Sequence, residues 1–291
     1  MTYSIVARDT DTGELGVAVQ SHYFQVGPVV PWGLAGVGAV ATQSMVNVSF
    51  GPLGVELMRL GCSARQALDA VLAADPERES RQCAMVDRTG AAAAHTGSRC
   101  IAEAGHRVGE GYSVQANLMH RPTVWDAMAV AYEMAGGPLA ERMLAALDAA
   151  EAEGGDIRGR QSAAMLVLTG GPTGRSWEDR LIDLRVEDHP EPLVELRRLL
   201  RYRRAYQSAA TGEVAGHRRA LEIGPEITQL RFFAGLALAG AGEWKEALEL
   251  LRQAMGEEPR WGETMRRLVP AGRVNAELVA EVEARLGVVA G

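Results

Sequence analysis

The order of its periodic segments constrains this chain more than any other feature. Short strands and helices arrive in groups, and after about residue 190 the strand signal stops. Residues 3–8 and 14–21 read as the two arms of a hairpin around the turn-rich Asp9-Thr10-Asp11-Thr12-Gly13. After a loop around Pro28, Pro31 and Trp32, residues 36–44 read as a third strand made of small residues. Helices follow at 52–60 and from Ser63 to about Ala74, where Ser63 and Gln66 have capping-box spacing. Strands return at 82–87, 91–96 and 112–118. Helices resume at 123–134 and 138–152, the second with a proline in its first turn. The last strands read at 161–168 and 181–187. A parallel Rossmann sheet needs strand and helix to alternate one by one, and this order does not. Two sheets with helix pairs on their outer faces fit it. The expectation is an α+β domain over residues 1–205 followed by a small all-α domain over 206–291.

The all-α part repeats. Pro225 and Pro259 stand 34 residues apart, as do Ala220 and Ala254, and Arg218 and Arg252. The stretch from Gly242-Glu243-Trp244 through Ala247 and Ala254 to Pro259 resembles a tetratricopeptide repeat, with Gly235 at the small position of its first helix. The upstream copy is a turn shorter. Such a repeat is a platform for a protein partner.

Composition narrows the function classes. With 47% hydrophobic and 23% charged residues the chain is of ordinary globular type. A net charge of -7 gives no general footprint for nucleic acid. The run from Arg197 to Arg204 reads first as a solvated helix face. Three cysteines, Cys62, Cys83 and Cys100, are an odd and sparse set that fits a reducing compartment. The opening residues lack signal-peptide order, and no apolar run reaches the ~20 residues of a membrane helix. A cytoplasmic protein without membrane or nucleic-acid partners is expected, and a homo-oligomer is compatible with the sequence. The six histidines and three cysteines show no metal-ligand spacing, so no metal and no cofactor is expected. Gly36-Val37-Gly38-Ala39-Val40-Ala41 matches a dinucleotide fingerprint only in letters, since it falls in a strand.

The candidate chemistry starts at the first residues. Removal of Met1 would make Thr2 the amino terminus, with a hydroxyl nucleophile and an α-amine of pKa about 8 on one residue. The plain alternative is an ordinary Met-Thr start. A second candidate is the loop Gly154 to Ser162, where Asp156, Arg158 and Arg160 beside glycines could clamp a carboxylate or amide substrate. A third is the pair Gln115 and Asn117, two residues apart and so on one face of a strand. Their amides could supply an oxyanion donor, or simply buried hydrogen bonds. Thr42 and Gln43 end the small-residue strand and are expected to line the same cleft. The expected catalytic residues are Thr2 and Asn117; the expected substrate-binding residues are Thr42, Gln43, Gln115, Asp156, Arg158 and Arg160.

The stretches TYSIVARDTDTGELGVAVQS, VGPVVPWGLAGVGAVATQS, GHRVGEGYSVQANL, GGPLAERMLAAL, GGDIRGRQSAAMLV and DRLIDLRVEDHP closely resemble the domain of unknown function 1028 family, over about residues 1–200. The resemblance implies an N-terminal-nucleophile (Ntn) hydrolase-like four-layer αββα sandwich and a chemical style, not a substrate. Joined to a trimmed Thr2, it gives the expectation of a hydrolase that cleaves a small amide or related acyl compound through Thr2. The alternative is a non-catalytic ligand-binding or scaffold protein. One departure matters. Proteasome-like relatives keep a lysine beside the nucleophile, whereas Lys245 is the only lysine in this chain. The base role would then fall on the α-amine itself, because arginine does not exchange protons near neutral pH.

Overall fold

The computed structural model describes residues 2–287. It is a mixed α+β fold with two antiparallel sheets and, among the described residues, ten α-helices. The chain divides into two compact units, Met1–Arg197 and Arg198–Gly291.

In the first unit a six-stranded sheet runs in the order β10-β9-β2-β1-β8-β7 and a four-stranded sheet in the order β3-β4-β5-β6. The six-stranded sheet holds β1 (Thr2–Arg8), β2 (Leu15–Ser21), β7 (Gly105–Gly109), β8 (Tyr112–Asn117), β9 (Ser162–Leu168) and β10 (Arg180–Val186). The four-stranded sheet holds β3 (Pro31–Leu34), β4 (Gly38–Ser44), β5 (Arg81–Asp87) and β6 (Ala92–Thr96). Strands β3 and β7 were not expected. The first begins with Pro31, and a strand-initial proline on a sheet edge sacrifices no ladder donor. The second, Gly-His-Arg-Val-Gly, carries too little apolar signal to be read as a strand.

Period-two alternation sorts the side chains. Val6, Leu15, Val17, Val19 and Leu166 from the larger sheet share one buried cluster with Ala39, Ala41, Ala84 and Val86 from the smaller. The residues between them face helices. Val40, Cys83 and Met85 pack with Phe50 and Met58 of α1 (Phe50–Arg59) and Leu68 and Val71 of α2 (Ala64–Ala73). Ser63 caps α2 as expected: its hydroxyl accepts from the Gln66 N–H, and Gln66 accepts from the Ser63 N–H. On the larger sheet, Tyr112 meets Tyr132 of α3 (Val124–Met134) with ring centroids 4.7 Å apart. Helix α4 (Leu139–Ala152) lies on β2 where Gly16 leaves room; a Cβ there would fall 2.6 Å from Met143 Cε. Burying this many apolar side chains, each worth about 1.5–3 kcal/mol, is what fixes the strand faces.

Helix α5 (Pro192–Ala209) contains the division between the units. The second unit continues with α6 (Val214–Ile223), α7 (Thr228–Gly240), α8 (Trp244–Glu257), α9 (Arg260–Leu268) and α10 (Ala276–Leu286). Helices α7 and α8 approach closely at Gly235, where a Cβ would meet Leu251 Cγ at 2.7 Å and the Ala247 carbonyl at 3.1 Å. Phe232 stacks on Trp261 at 4.7 Å, over a core that includes Leu236, Leu251, Met265 and Val282. Among the described residues no helix is long and apolar enough to cross a membrane.

Candidate active site

The cluster shared by the two sheets is apolar for most of its length and turns polar at one end. There Thr2 opens β1 with Ser21 of β2 opposite it on one side and Asn117 of β8 on the other. On the smaller sheet Gln43 of β4 pairs with Gln82 of β5, which pairs with Thr96 of β6. Thr2 and Ser4 share the face of Val6, so alternation alone turns their hydroxyls toward the smaller sheet. Thr2 Oγ1 lies 3.0 Å from Ser21 Oγ, and Thr2 is 6% exposed.

The amide network around Thr2 has a direction set by the backbone. Gln82 Nε2 sits 2.8 Å from the Ala116 carbonyl and 3.1 Å from the Gly105 carbonyl, so this end must be the NH2 group. Its Oε1 then accepts from Gln43 Nε2 at 2.7 Å and from Asn117 Nδ2 at 2.8 Å. The same two NH2 groups also reach the Thr2 carbonyl, at 3.2 and 3.3 Å. Ser4 donates to Gln43 Oε1 at 2.6 Å and accepts from Gln115 Nε2 at 2.6 Å. Two side chains of different strands thus hold the main chain of Thr2, which fixes where its hydroxyl can point.

A cleft of about 380 Å³ opens over this end. Thr2 and Gln43 line it, together with Tyr23, Val26, Val29, Val30, Ser44, Met45, Val46, Arg81 and Arg158. Each arginine is held by a buried aspartate. Asp156 accepts from Arg158 Nε at 3.1 Å, from Nη2 at 2.8 Å and from the His22 N–H at 3.2 Å. Asp75 accepts from Arg81 Nε at 2.8 Å, from Asn47 Nδ2 at 3.1 Å and from the Glu77 N–H at 2.8 Å. The Arg81 hydrogen bond, helped by the others, holds the Asp75 carboxyl down at about 2. Arg81 also donates to the Met45 carbonyl.

The expected residues therefore separate. Thr2, Gln43 and Arg158 line the cleft, and Asp156 supports Arg158 from below. Asn117 is fully buried beneath Thr2 with its NH2 committed to Gln82 and the Thr2 carbonyl, a placement that suits holding the backbone. Gln115 lies deeper still, between Ser4 and Ser113. Thr42 does not line the cleft. It alternates to the opposite face from Gln43 and donates to the Asn47 carbonyl at 3.1 Å. Arg160 does not line it either. Its guanidinium bonds Glu151 at 2.6 Å and Glu191. Glu151 also accepts from Tyr3 at 2.6 Å, and burial together with that carboxylate pushes the Tyr3 phenol up. Asp183 and Arg185, two residues apart on β10 and so on one face, form an ion pair at 3.0 Å. Met1 lies outside the described residues.

Ser21, Gln82 and Arg81 were not anticipated. Ser21 was legible, because a hairpin that pairs Arg8 with Leu15 also pairs Thr2 with Ser21. Gln82 and Arg81 carry no local signal; only the pairing of β5 with β4 brings them to Gln43 and Ser44.

The chain matches, over residues 2–196, a family model described as a family of unknown function (DUF1028). Among solved structures it is similar to the crystal structure of a Silicibacter pomeroyi protein of that family, with 32% identity and a TM-score of 0.62. That match covers 72% of this chain and 88% of the other. A fainter likeness is to Anbu (ancestral beta-subunit) from Yersinia bercovieri, with 12% identity and a TM-score of 0.34 over 68% of this chain and 93% of that one. No curated protein matches.

Proposed function

The chain belongs to the DUF1028 family, and from that premise and the cleft geometry we propose that it is an Ntn-type hydrolase that cleaves a small amide or related acyl compound through Thr2 after loss of Met1. The observation that carries the reading is the Thr2 side chain itself. It lines the cleft from the head of a central strand, with its hydroxyl beside Ser21 and its carbonyl held by two amides. In this reading Thr2 Oγ attacks the substrate carbonyl while the α-amine takes its proton, directly or through water. The acyl carbon–nitrogen bond breaks, the amine passes the proton to the leaving nitrogen, and water then hydrolyses the Thr2 ester. Ser21 orients the hydroxyl. Gln43 and Asn117 position the residue, and Arg158 supplies fixed positive charge without exchanging protons.

The packing of the two sheets and their helix pairs supports assignment of residues 1–205 to an αββα Ntn-hydrolase sandwich. The close approach at Gly235 supports a tetratricopeptide-like platform in the second unit for a protein partner. A purely non-catalytic role is the weaker reading, since it leaves the hydroxyl pair at the cleft unexplained.

The test is direct. N-terminal sequencing of purified protein should begin at Thr2, and an acylating β-lactone probe should label that residue. Thr2→Ala should abolish labelling and lower amide turnover by more than about 10⁴-fold, as loss of a nucleophile does elsewhere. Active protein that retains Met1 overturns the amine-based mechanism.

A further inference from the structure

Apart from Thr2 and its polar neighbours, the cleft lining is of two kinds. Val26, Val29, Val30, Met45 and Val46 are apolar, and Arg81 and Arg158 are cationic. The lining reaches the surface at Tyr23 and Met45, which are 52% and 53% exposed. A volume of about 380 Å³ is at the small end of the roughly 300–1,000 Å³ typical of ligand pockets, so the cleft suits a small molecule.

The two cations are built in rather than incidental. Each guanidinium is gripped from behind by an aspartate that is itself nearly inaccessible, Asp75 at 7% and Asp156 at 4% exposure. Asp156 holds Arg158 through Nε and Nη2, while Arg81 is held through Nε by Asp75 and through Nη1 by the Met45 carbonyl, so both guanidinium planes are fixed, as carboxylate recognition needs. Arg81 and Arg158 are the charged residues of the cleft lining, and two fixed guanidiniums offer charge-assisted donors to one carboxylate.

We propose that the cleft takes an N-acyl amino acid, with its carboxylate held by Arg81 and Arg158, its amide at Thr2, and its acyl chain among Val26, Val29, Val30, Met45 and Val46. The chemistry rests on the hydrolase reading above; the binding specificity does not. Thr2 Oγ bonds to the acyl carbon as the C–N bond breaks. The amino acid leaves with the relayed proton, and water releases the fatty acid from Thr2.

The experiment uses full-length Thr2→Ala protein, which binds without turnover. Titration calorimetry compares N-hexanoylglycine with N-methylhexanamide, which has the same acyl chain and amide but no charge. The charged ligand should bind at least about tenfold more tightly, as a paired charge-assisted bond would give. Adding Arg158→Gln should remove most of that preference and leave the uncharged ligand within about twofold. Arg158→Lys should restore part of it, because charge returns without the fork. Arg81→Gln should act likewise, with its thermal transition measured alongside. Equal binding of the two ligands, or binding of neither, overturns the inference. Wild-type turnover separates the two readings. Hydrolysis of both ligands at equal efficiency sinks this specificity and spares the hydrolase. Selective binding with no hydrolysis of either does the reverse.

Discussion

Gln82 is the residue on which the Thr2 scaffold turns, and replacing it with glutamate tests the hydrogen-bond directions derived above. Its Oε1 accepts from Gln43 and Asn117, and its Nε2 donates to Thr96 Oγ1 and the Gly105 and Ala116 carbonyls. The side chain is fully buried. Gln82→Glu keeps shape and volume and preserves the accepting end. At the other end it sets a carboxyl oxygen against two carbonyls that cannot move. As a neutral acid it can donate to one of them, and losing the second bond costs about 1–3 kcal/mol. As a carboxylate it is buried facing acceptors, so the folded state raises its pKa above the unfolded value. The sign follows. A raised acid contributes stability that is fully present below the unfolded pKa and lost as pH rises through the folded one, with each tenfold loss of acidity worth about 1.4 kcal/mol. Urea denaturation of wild type and variant at pH 4.5 and 8 should therefore show a gap that widens at pH 8. Gln82→Leu should instead lose about 3–5 kcal/mol at both pH values, because it strands several buried groups regardless of pH. A Gln82→Glu gap that stays constant with pH would refute the assigned directions, and with them the claim that Asn117 and Gln43 present NH2 groups to the Thr2 carbonyl.

Two further outcomes are expected. Asp75→Asn removes a carboxyl held at about 2 against an ordinary 3.8, a contribution complete above about pH 4 and lost as pH falls toward 2. The variant should be less stable at pH 7 by at most about 2 kcal/mol, with the difference vanishing near pH 2 in denaturant titrations; a difference unchanged by acid would reject the Arg81 contact as its cause. Gly235→Val would press a side chain into Leu251 and the Ala247 carbonyl, so it should cost about 1–3 kcal/mol and speed amide exchange in α7 and α8. Unchanged exchange there would show that the two helices do not meet at this residue.

Local sequence rules reached the elements whose signals are local. The first hairpin, the Ser63–Gln66 capping box and the helix groups all depend on residues within a few positions of each other. The strands β3 and β7 lay beyond that reach, for opposite reasons. Pro31 and Gly33 read as loop because intrinsic preference ignores the edge position that tolerates them, and Gly105–Gly109 is strand only because β8 pairs with it. Sheet order is likewise non-local, so nothing in the sequence placed β1 between β2 and β8.

The candidate site shows where parity helps and where it fails. Neighbours on a strand diverge: Gln43 reaches Thr2 while Thr42 turns to the Asn47 carbonyl, so naming both for one cleft contradicts the strand's own period. Arg158 and Arg160 pose the harder case, since a glycine-rich loop has no fixed period. What separates them is the partner each finds. Asp156, anchored by its bridge to Met119 and by the His22 N–H, holds Arg158 at the cleft, whereas Glu151 on α4 draws Arg160 toward the helix face with Tyr3. Asp156 thereby selects which of the two arginines lines the cleft. Under the proposed mechanism this also accounts for a nucleophile without a neighbouring lysine. The guanidinium held at the cleft by Asp156 does not exchange protons near neutral pH, which leaves proton transfer to the α-amine alone.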